Sequence, residues 1–393
     1  MRPAVQDGRR GVLLRDPLQL SDKTLIVPQP LHLVLSLCDG TREDVRALSA
    51  SLAVRHGVRI APGLIARLLD ALDDAMLLDN ASSAQARAQA LAWYREAPFR
   101  PPAGAGQSYP ADADDLKRLL DGYLDAARDG SPPPAGIRGL VSPHIDYARG
   151  GPVYARAWQR AAGAARAADL VVILGTDHLN EGGGLTLTRQ HYATPLGVLP
   201  TAVDVVDALA AALGEEAALG NELYHRSEHS IELAAVWLHH VRQGEPCDLV
   251  PILCGSFHRF VQGDVDAAGD PALASLLEAF KEATSGRRVF VVAAGDLAHV
   301  GPAFGGYPLD LVGRARLKAA DDALIARMCA GDAAGFLAEI RSVDDRNNVC
   351  GVPPIYLALR MLHPLQGELV AYDRCPADGQ GTSLVSVCGV TFT

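Results

Sequence analysis

Histidines and aspartates follow three separate apolar runs of this sequence. The three segments read Ser142-Pro143-His144, Gly175-Thr176-Asp177-His178 and Gly295-Asp296-Leu297-Ala298-His299. Imidazole and carboxylate ligands together suit a divalent first-row metal such as Fe(II), Mn(II) or Zn(II). Two histidines and one carboxylate also leave iron with open positions for a substrate and O₂. The three segments therefore predict a metal site.

A fourth polar segment, Ser227-Glu228-His229, precedes an apolar helical pattern. Ser227 is predicted to cap the helix, and Glu228 would place a favourable negative charge in its first turn. The positive end of the helix dipole favours the neutral form of His229, and a neutral imidazole can act as a general base near pH 7. The alternative is that Glu228 and His229 only cap the helix.

The apolar runs alternate with helical patterns from residue 137 onwards. Short runs rich in β-branched residues suit strands that are buried on both faces of a parallel sheet. We predict strands at residues 137–141, 170–174, 249–253 and 289–293, and helices at residues 113–127, 153–168, 202–213 and 231–241. The expected fold class is α/β, a largely parallel sheet flanked by helices, in which ligands gather at the carboxyl ends of the strands.

Residues 1–95 have a different pattern, which predicts a small winged-helix-like module. A strand at residues 24–27 precedes helical patterns at residues 31–38, 42–56 and 62–72. Residues 77–79 are expected to begin a β-wing. Residues 96–136 then form a linker and the first helix of the larger domain, residues 137–393, because residues 99–106 are rich in proline and glycine.

Composition excludes several classes of protein. The chain has 393 residues, a net charge of −10 and a pI near 5.6, which argues against a nucleic-acid partner. No apolar run reaches the ~18 residues that a membrane helix needs, and residues 1–14 lack the apolar stretch of a signal peptide. Seven cysteines without a CxxC pair predict free thiols. We therefore expect a cytoplasmic protein without a membrane partner.

Seven motifs in this order resemble the Memo family, also called AmmeMemoRadiSam system protein B. They are AGQSYPAD (residues 105–112), PHIDY (143–147), LGTDH (174–178), EHSIE (228–232), VPILCGSF (250–257), AGDLAHVG (294–301) and VCGVPPI (349–355). The resemblance spans residue 102 to the end of the chain. It implies an α/β fold similar to that of the class III extradiol (LigB-like) dioxygenases, which use Fe(II) to open catechol-like rings.

The resemblance also implies roles for particular residues. His144 and His178 match metal-binding histidines, and His229 matches the acid–base histidine of the dioxygenases. Ala298 stands where the animal proteins have a metal-binding cysteine, so we expect a site without a thiol, which weakens the case for copper. Asp296 is the first choice for the third ligand and His299 the second. Fe(II) is the expected cofactor, with copper and zinc as alternatives.

These observations leave three functions open. The first is a metal-dependent oxidoreductase that acts on a peptide or a small aromatic substrate, in which His229 moves a proton and Tyr147 hydrogen-bonds a bound oxygen. The second is a non-catalytic metal- or peptide-binding accessory protein, with a radical-SAM enzyme and an AMMECR1-like protein as partners implied by the family name. The third is a zinc hydrolase, although the sequence has no HExxH motif.

The first module has a looser resemblance of its own. Leu37-Cys38-Asp39-Gly40-Thr41, followed by two helical patterns, is similar to the PqqD-like winged helix, which recognises peptides. Such a module would bind a peptide by adding a strand to a sheet edge. A plain structural or dimerisation domain is the alternative, and the oligomeric state stays open.

Overall fold

A computed structural model describes residues 2–6, 9–39, 44–128, 130, 132, 134–180 and 182–393. The chain divides into two units, residues 1–96 and residues 97–393. Among the helices of the described residues, none combines the length and the apolar character needed to cross a membrane.

The first unit begins with a three-stranded antiparallel sheet and continues with helices. The strands, in the order β1-β2-β3, are β1 (Arg2–Gln6), β2 (Arg9–Arg15) and β3 (Thr24–Pro28). A 3₁₀ helix (Leu31–Leu37) follows, and then α1 (Val45–His56), α2 (Pro62–Asp74) and α3 (Ala81–Glu96). Val34, Leu52 and Ile65 are fully buried in the core of this unit. The three strands and this separate core confirm the small N-terminal module.

One prediction for this unit needs correction, and another lies partly outside the described residues. The β-wing expected from residue 77 is wrong, because residues 77–79 join α2 to α3 and the three strands all precede the helices. Leu77 and Leu78 instead pack against the apolar core of the unit. The helix expected at residues 42–56 is described only from Asp44, whose carboxylate accepts a hydrogen bond from the backbone N–H of Ala47; Gly40, Thr41, Arg42 and Glu43 lie outside the described residues. The PqqD-like resemblance stays a prediction.

The second unit consists of alternating strands and helices. Its strands are β4 (Gly139–Ser142), β5 (Leu170–Thr176), β6 (Leu185–Leu187), β7 (Tyr192–Thr194), β8 (Gly197–Leu199), β9 (Asp248–Cys254), β10 (Val289–Ala294), β11 (His299–Val300), β12 (Gly367–Pro376) and β13 (Leu384–Phe392). Its helices are α4 (Ala113–Ala127), α5 (Tyr147–Ala167), α6 (Val203–Leu213), α7 (Glu215–Leu219), α8 (Ser230–Val241), α9 (His258–Val261), α10 (Pro271–Ala283), α11 (Leu311–Cys329), α12 (Ala333–Ser342) and α13 (Val352–Met361).

The main sheet has a parallel centre and antiparallel edges. Its order is β11-β13-β4-β10-β5-β9-β6, with β12 beside β13, and the four strands β4, β10, β5 and β9 run parallel. Successive residues of β5 face opposite sides of the sheet, with Val171 and Ile173 in one apolar cluster and Val172 and Leu174 in the other. Helices cover both faces, as an all-apolar central strand requires. The predicted α/β fold is confirmed.

Helix α5 begins six residues before its predicted start. Gly150, Gly151 and Pro152 lie inside it, and these residues are usually unfavourable in a helix. The carboxylate of Asp146 accepts a hydrogen bond from the N–H of Arg149 and so caps the helix. Gly151 packs against the ring of Tyr123, where a Cβ atom would lie 2.3 Å from a ring carbon. The helix therefore starts directly after the His144 segment.

The register of the parallel strands brings three loops to one edge of the sheet. Ala294, the last residue of β10, lies opposite Ser142 on one side and Gly175 on the other. The strands β4, β5 and β10 therefore end at nearly the same level. Side chains in the loops that follow them meet at the carboxyl edge, where open α/β sheets bind ligands.

Candidate metal centre

Two imidazoles and a thiol come together at the carboxyl edge of the sheet. Ligand atoms of His144, His178 and Cys350 all lie within 4.8 Å of one another. The Nε2 atom of His144 is 3.2 Å from the Sγ atom of Cys350. His144 is buried, whereas the side chain of His178 is 38% exposed. The group is therefore fixed on the protein side and open on the other.

Hydrogen bonds orient the ring of His144 towards the thiol. Its Nδ1 atom lies 3.1 Å from the carbonyl oxygen of Ala294, which can only accept, so Nδ1 carries the proton. When the ring is neutral, the lone pair of Nε2 therefore faces Cys350. The carboxylate of Asp296 accepts a hydrogen bond of 2.9 Å from the backbone N–H of His144 and so holds the loop in place.

Glu228 orients the second imidazole. Its carboxylate oxygens lie 3.0 and 3.1 Å from Nδ1 of His178, and it also accepts from the backbone N–H of His178. A carboxylate on Nδ1 leaves Nε2 free for a metal, which is the usual carboxylate–histidine–metal arrangement. The side chain of Glu228 is 3% exposed, so the orientation of His178 is well defined.

The same carboxylate holds the start of helix α8. It accepts from the N–H groups of His229 (2.8 Å) and Ser230 (3.0 Å), and it lies 3.1 Å from Nδ1 of His229. The prediction that Ser227 caps this helix is wrong, because the N-cap residue is His229. Glu228 satisfies the first N–H groups, and its longer side chain also reaches His178. One carboxylate thus positions two of the three histidines.

His229 lies beside the His144–His178–Cys350 group. Its ring centroid is 5.1 Å from that of His178 and 5.4 Å from that of His144. Its side chain is 43% exposed. A second set of ligand atoms within 4.8 Å comprises His178, Glu228 and His229. Glu228 already accepts three backbone hydrogen bonds, so we assign it to support rather than to metal binding.

The charges of the site perturb the pKa values of its members. Burial alone would raise the pKa of Cys350, but His144 and His299 lower it well below the usual thiol value. Burial alone would lower the pKa of His144, but Cys350 and Asp296 raise it to about 9. Burial likewise opposes the charged form of His178, whereas Glu228 and Cys350 raise its pKa well above the usual value. The neighbouring imidazoles therefore favour the thiolate of Cys350, the form that binds metals.

Close backbone packing brings Cys350 to the histidines. A Cβ atom on Gly351 would lie 2.6 Å from the carbonyl oxygen of Asp296, and one on Gly295 would lie 2.6 Å from Cα of Gly351. The N–H of Gly351 donates to that carbonyl of Asp296 over 2.9 Å. Only glycine at both positions allows this approach, which places the start of α13 against the loop that follows β10.

The structure brings three of the predicted site residues together and gives Asp296 and His299 other contacts. The rings of His144, His178 and His229 lie together. Asp296 instead supports the His144 loop, and one of its carboxylate oxygens lies 3.8 Å from Nε2 of His144. His299 packs on Phe304, with ring centroids 5.1 Å apart. Among the described residues, neither Asp296 nor His299 belongs to a set of ligand atoms within 4.8 Å.

Two further predictions concern the role of Tyr147 and the absence of a thiol at Ala298. Tyr147 is fully buried, and its hydroxyl donates to the carbonyl oxygen of Leu233 over 2.7 Å, so its predicted role at a bound oxygen stays a prediction. The expectation of a site without a thiol is wrong, because Cys350 supplies one where Ala298 does not. Cys350 is the only ligand-type side chain of the VCGVPPI motif, which is the signal that could have identified it.

A buried ion pair supports the segment that carries Glu228. The guanidinium of Arg100 donates to the carbonyl oxygens of His225 (2.6 Å) and Glu228 (2.7 Å), and it pairs with the carboxylate of Glu232. That carboxylate also accepts from the N–H groups at residues 103 and 104, each over 2.8 Å. Arg100 and Glu232 have no exposed side-chain surface. This network fixes the backbone from which Glu228 reaches the histidines.

Comparisons with known proteins agree on one family. Residues 100–391 match the family described as Memo-like protein. The chain is 30% identical to a MEMO1 family protein of Methanopyrus kandleri over 311 residues, which cover 75% of this chain and 98% of the relative. It is 28% identical to a MEMO1 family protein of Thermococcus onnurineus, over 70% of this chain and 91% of the relative. A MEMO1 family protein of Aquifex aeolicus is 27% identical over 58% of each chain.

Proposed function

The chain belongs to the Memo-like protein family, and we propose that it is a metal-dependent oxidoreductase with one ion held by His144, His178 and Cys350. The observation that supports this proposal is the convergence of two oriented Nε2 atoms on one thiolate. The cytoplasm is the proposed location, because all seven cysteines are free thiols and reducing compartments keep them so.

The three side chains fit a transition-metal ion. Metal–nitrogen bonds of ~2.0 Å and metal–sulfur bonds of ~2.3 Å place tetrahedral N and S ligands about 3.5 Å apart, close to the 3.2 Å between His144 and Cys350. Three protein ligands leave at least one coordination position open, as in catalytic rather than structural sites.

Iron or copper is the proposed ion. Imidazole binds both, and the thiolate of Cys350 adds a soft ligand that suits copper, which removes the sequence argument against that metal. The relation to iron-dependent ring-opening dioxygenases that the family resemblance implies supports iron. Either ion would supply one-electron chemistry and an open position for a substrate.

The side chains of this chain would orient the ion and move protons. Glu228 and the carbonyl of Ala294 keep the Nε2 atoms of His178 and His144 directed at the ion. His229 lies next to this group with an exposed edge, so we propose that it exchanges a proton with the substrate. Glu228, whose carboxylate lies 3.1 Å from Nδ1 of His229, orients the ring for this role.

The metal content of the full-length chain tests this proposal. We expect about one iron or copper ion per chain after anaerobic purification, and oxygen uptake when a catechol is added to the loaded protein. Cys350→Ala should lose the ion and the uptake together. Tightly bound zinc or no metal, without oxygen uptake, would contradict the oxidoreductase and favour the accessory protein that works with a radical-SAM enzyme.

A further inference from the structure

Four oxidisable rings pack together beside the loop that carries His144. This aromatic cluster consists of Tyr109, Tyr147, Tyr154 and Trp237, in a chain in which only 5% of the residues are aromatic. The ring centroid of Tyr147 lies 5.5 Å from that of Tyr109, 5.1 Å from that of Tyr154 and 5.9 Å from that of Trp237. Such distances are typical of aromatic rings in contact. Tyr109 is 4% exposed, and the other three residues are fully buried.

A short path joins the aromatic cluster to the proposed ion. The hydroxyl of Tyr154 donates to the carbonyl oxygen of Ile145 over 3.0 Å. Ile145 directly follows His144, which is one of the three proposed ligands. One hydrogen bond and one residue of backbone therefore separate the Tyr154 phenol from this histidine. Electrons pass most readily through covalent bonds, hydrogen bonds and rings in contact, so the cluster can exchange electrons with the ion.

Tyr109 differs from the other rings of the cluster in its hydrogen-bond acceptor. Its hydroxyl donates to the carboxylate of Glu232, whereas those of Tyr147 and Tyr154 donate to backbone carbonyl oxygens. A carboxylate can take the proton that a phenol releases on oxidation, and an amide carbonyl cannot hold it. The indole Nε1 of Trp237 has no hydrogen-bond partner among the described residues. Within the described part of the chain, Tyr109 is thus the one ring of the cluster that is bonded to a proton acceptor.

The surroundings of Tyr109 couple the loss of its electron to the loss of its proton. Burial and the charge of Glu232 raise the pKa of Tyr109, so the resting side chain is a phenol. A phenol that has lost an electron is a far stronger acid than a carboxylic acid, so the proton moves to Glu232 although Arg100 pairs with that carboxylate. Arg100 keeps its bonds to the carbonyl oxygens of His225 and Glu228, which stabilise its charge once Glu232 is neutral.

We propose that Tyr109 is a redox-active residue that gives one electron to the ion of the metal centre by way of Tyr147 and Tyr154. The phenol O–H bond of Tyr109 breaks, and its proton forms an O–H bond with the carboxylate of Glu232. The products are a neutral tyrosyl radical, a carboxylic acid and an ion reduced by one electron. This inference rests on the proposed function, because the ion, oxidised by O₂ or a peroxide, is the oxidant. Once the ion is oxidised again, ion and radical together hold the two oxidising equivalents that a two-electron oxidation of a substrate requires.

Hydrogen peroxide added to the anaerobic iron- or copper-loaded chain tests the proposal. Each peroxide takes one electron from the reduced ion, one from Tyr109 and two protons from the solvent, and becomes two molecules of water. Electron paramagnetic resonance of rapidly frozen samples should then detect a tyrosyl radical in the wild type. Tyr109→Phe keeps the ring against Tyr147 but removes the hydroxyl, and it should lose the signal. Tyr307→Phe, at a tyrosine that is 93% exposed, should keep it.

A photochemical oxidant tests Tyr109 without any metal. Tris(bipyridine)ruthenium(III), made by light with persulfate as the final electron acceptor, oxidises rings near the surface of the metal-free chain. His240 connects the cluster with the surface, because its ring lies 6.2 Å from that of Trp237 and its side chain is 9% exposed. A long-lived tyrosyl radical should form in the wild type and in Tyr307→Phe but not in Tyr109→Phe.

Tyr154→Phe tests the path to the ion. It removes the hydroxyl that reaches the carbonyl of Ile145 and leaves the contact between Trp237 and Tyr147 in place. The yield of the radical should therefore fall after peroxide and stay unchanged after illumination. An unchanged yield after peroxide would refute the proposed path through Tyr154.

The two oxidants distinguish the failure of this inference from the failure of the proposed function. A chain that holds iron or copper but forms no radical, or forms the same radical without the Tyr109 hydroxyl, would overturn the inference alone. A chain that holds neither metal but forms the Tyr109-dependent radical under light would overturn the oxidoreductase and leave the redox-active tyrosine supported. Circular dichroism of each variant checks that it is folded.

Discussion

The Nε2 atom of His144 lies 3.2 Å from the Sγ atom of Cys350, although 206 positions separate the two residues in the chain. His144 follows strand β4, and Cys350 precedes helix α13. The contact exists because β4 and β10 end at the same level and because Gly295 and Gly351 let the two loops approach. His178, which follows β5, completes the group.

Cys350→Ala should abolish stable metal binding and leave the fold intact. The change removes the thiolate, which is one of three proposed ligands, and leaves only a small side chain in its place. Cys247→Ala is the matched control, because Cys247 is a buried thiol just before β9, at the other end of that strand from the site. Equal metal content in the two variants, measured by mass spectrometry, would refute the assignment of Cys350.

Glu228→Gln should weaken metal affinity by ~10–100-fold, the usual effect of losing a carboxylate that orients a metal-binding histidine. The new amide side chain would keep an acceptor but lose the negative charge that holds Nδ1 of His178 and His229. Glu222→Gln is the control, since this buried carboxylate accepts from Thr188 (2.7 Å) and Arg189 (3.2 Å) outside the site. Competition with a chelator measures both affinities, and an unchanged value for Glu228→Gln would contradict its orienting role.

His229→Ala should keep the metal and lower turnover by ~10²–10⁴-fold, the typical contribution of an acid–base group. The ion stays because His229 is not one of its three proposed ligands. His56→Ala, at an exposed position of helix α1, should change neither quantity. Loss of metal from His229→Ala would instead assign His229 to the ion, together with its neighbours His178 and Glu228.

Arg100→Met should destabilise the second unit by about 3–5 kcal/mol, because it leaves the buried charge of Glu232 without its partner. The double variant Arg100→Met/Glu232→Leu should lose less than the sum of the two single changes. Arg288→Met breaks a pair with Asp169 whose arginine is 71% exposed, and it should cost much less because solvent screens an exposed pair. Urea denaturation measures all four variants, and strict additivity would argue against the ion pair.

Asp321→Asn should stabilise the protein at neutral pH but not in acid. Burial, opposed in part by a hydrogen bond from Tyr372, raises the pKa of Asp321 to about 6 from a usual value of 3.8. The unfolded chain therefore ionises first as the pH rises, and up to about 3 kcal/mol of stability is lost between about pH 4 and pH 6. Asn removes this loss and can still accept from the Tyr372 hydroxyl, which lies 2.7 Å away.

The measurement for Asp321 compares the free energy of unfolding at about pH 4 and at about pH 7. Between these two pH values, the free energy of unfolding of the variant should change by up to about 3 kcal/mol in the stabilising direction relative to that of the wild type. Asp125→Asn, an exposed acid on helix α4, should keep the wild-type difference. A parallel shift of the Asp321→Asn stability at both pH values would show that the carboxylate does not titrate between them.

The sequence predicted the four parallel strands of the main sheet because buried parallel strands are apolar on both faces. The runs at residues 170–174 and 289–293 need no tertiary information to be recognised. The rule that ligands gather at the carboxyl ends of such strands then placed His144, His178 and Asp296 at one edge. The structure confirms the α/β sheet and shows His144 and His178 side by side.

The sequence could not decide which side chains meet at that edge. Cys350 follows a loop rather than an apolar run, so local pattern gave it no weight, and its place depends on the packing of Gly351 against the carbonyl of Asp296. Arg100 lies in a proline- and glycine-rich stretch that is typical of a linker, yet its guanidinium is buried against Glu232 and the carbonyl of Glu228.

The sequence predicts some features and not others because the interactions that fix them act over different distances along the chain. Apolar periodicity and strand polarity act over a few neighbouring residues, so the sequence by itself determined the four parallel strands, several of the helices and the loops that carry polar groups. Hydrogen bonds and metal ligation join atoms that are distant in the chain, and their partners depend on strand register and backbone approach. Tertiary structure alone decided that Cys350 contacts His144, that Glu228 orients His178 and His229, and that Oδ2 of Asp177 has no partner among the residues described.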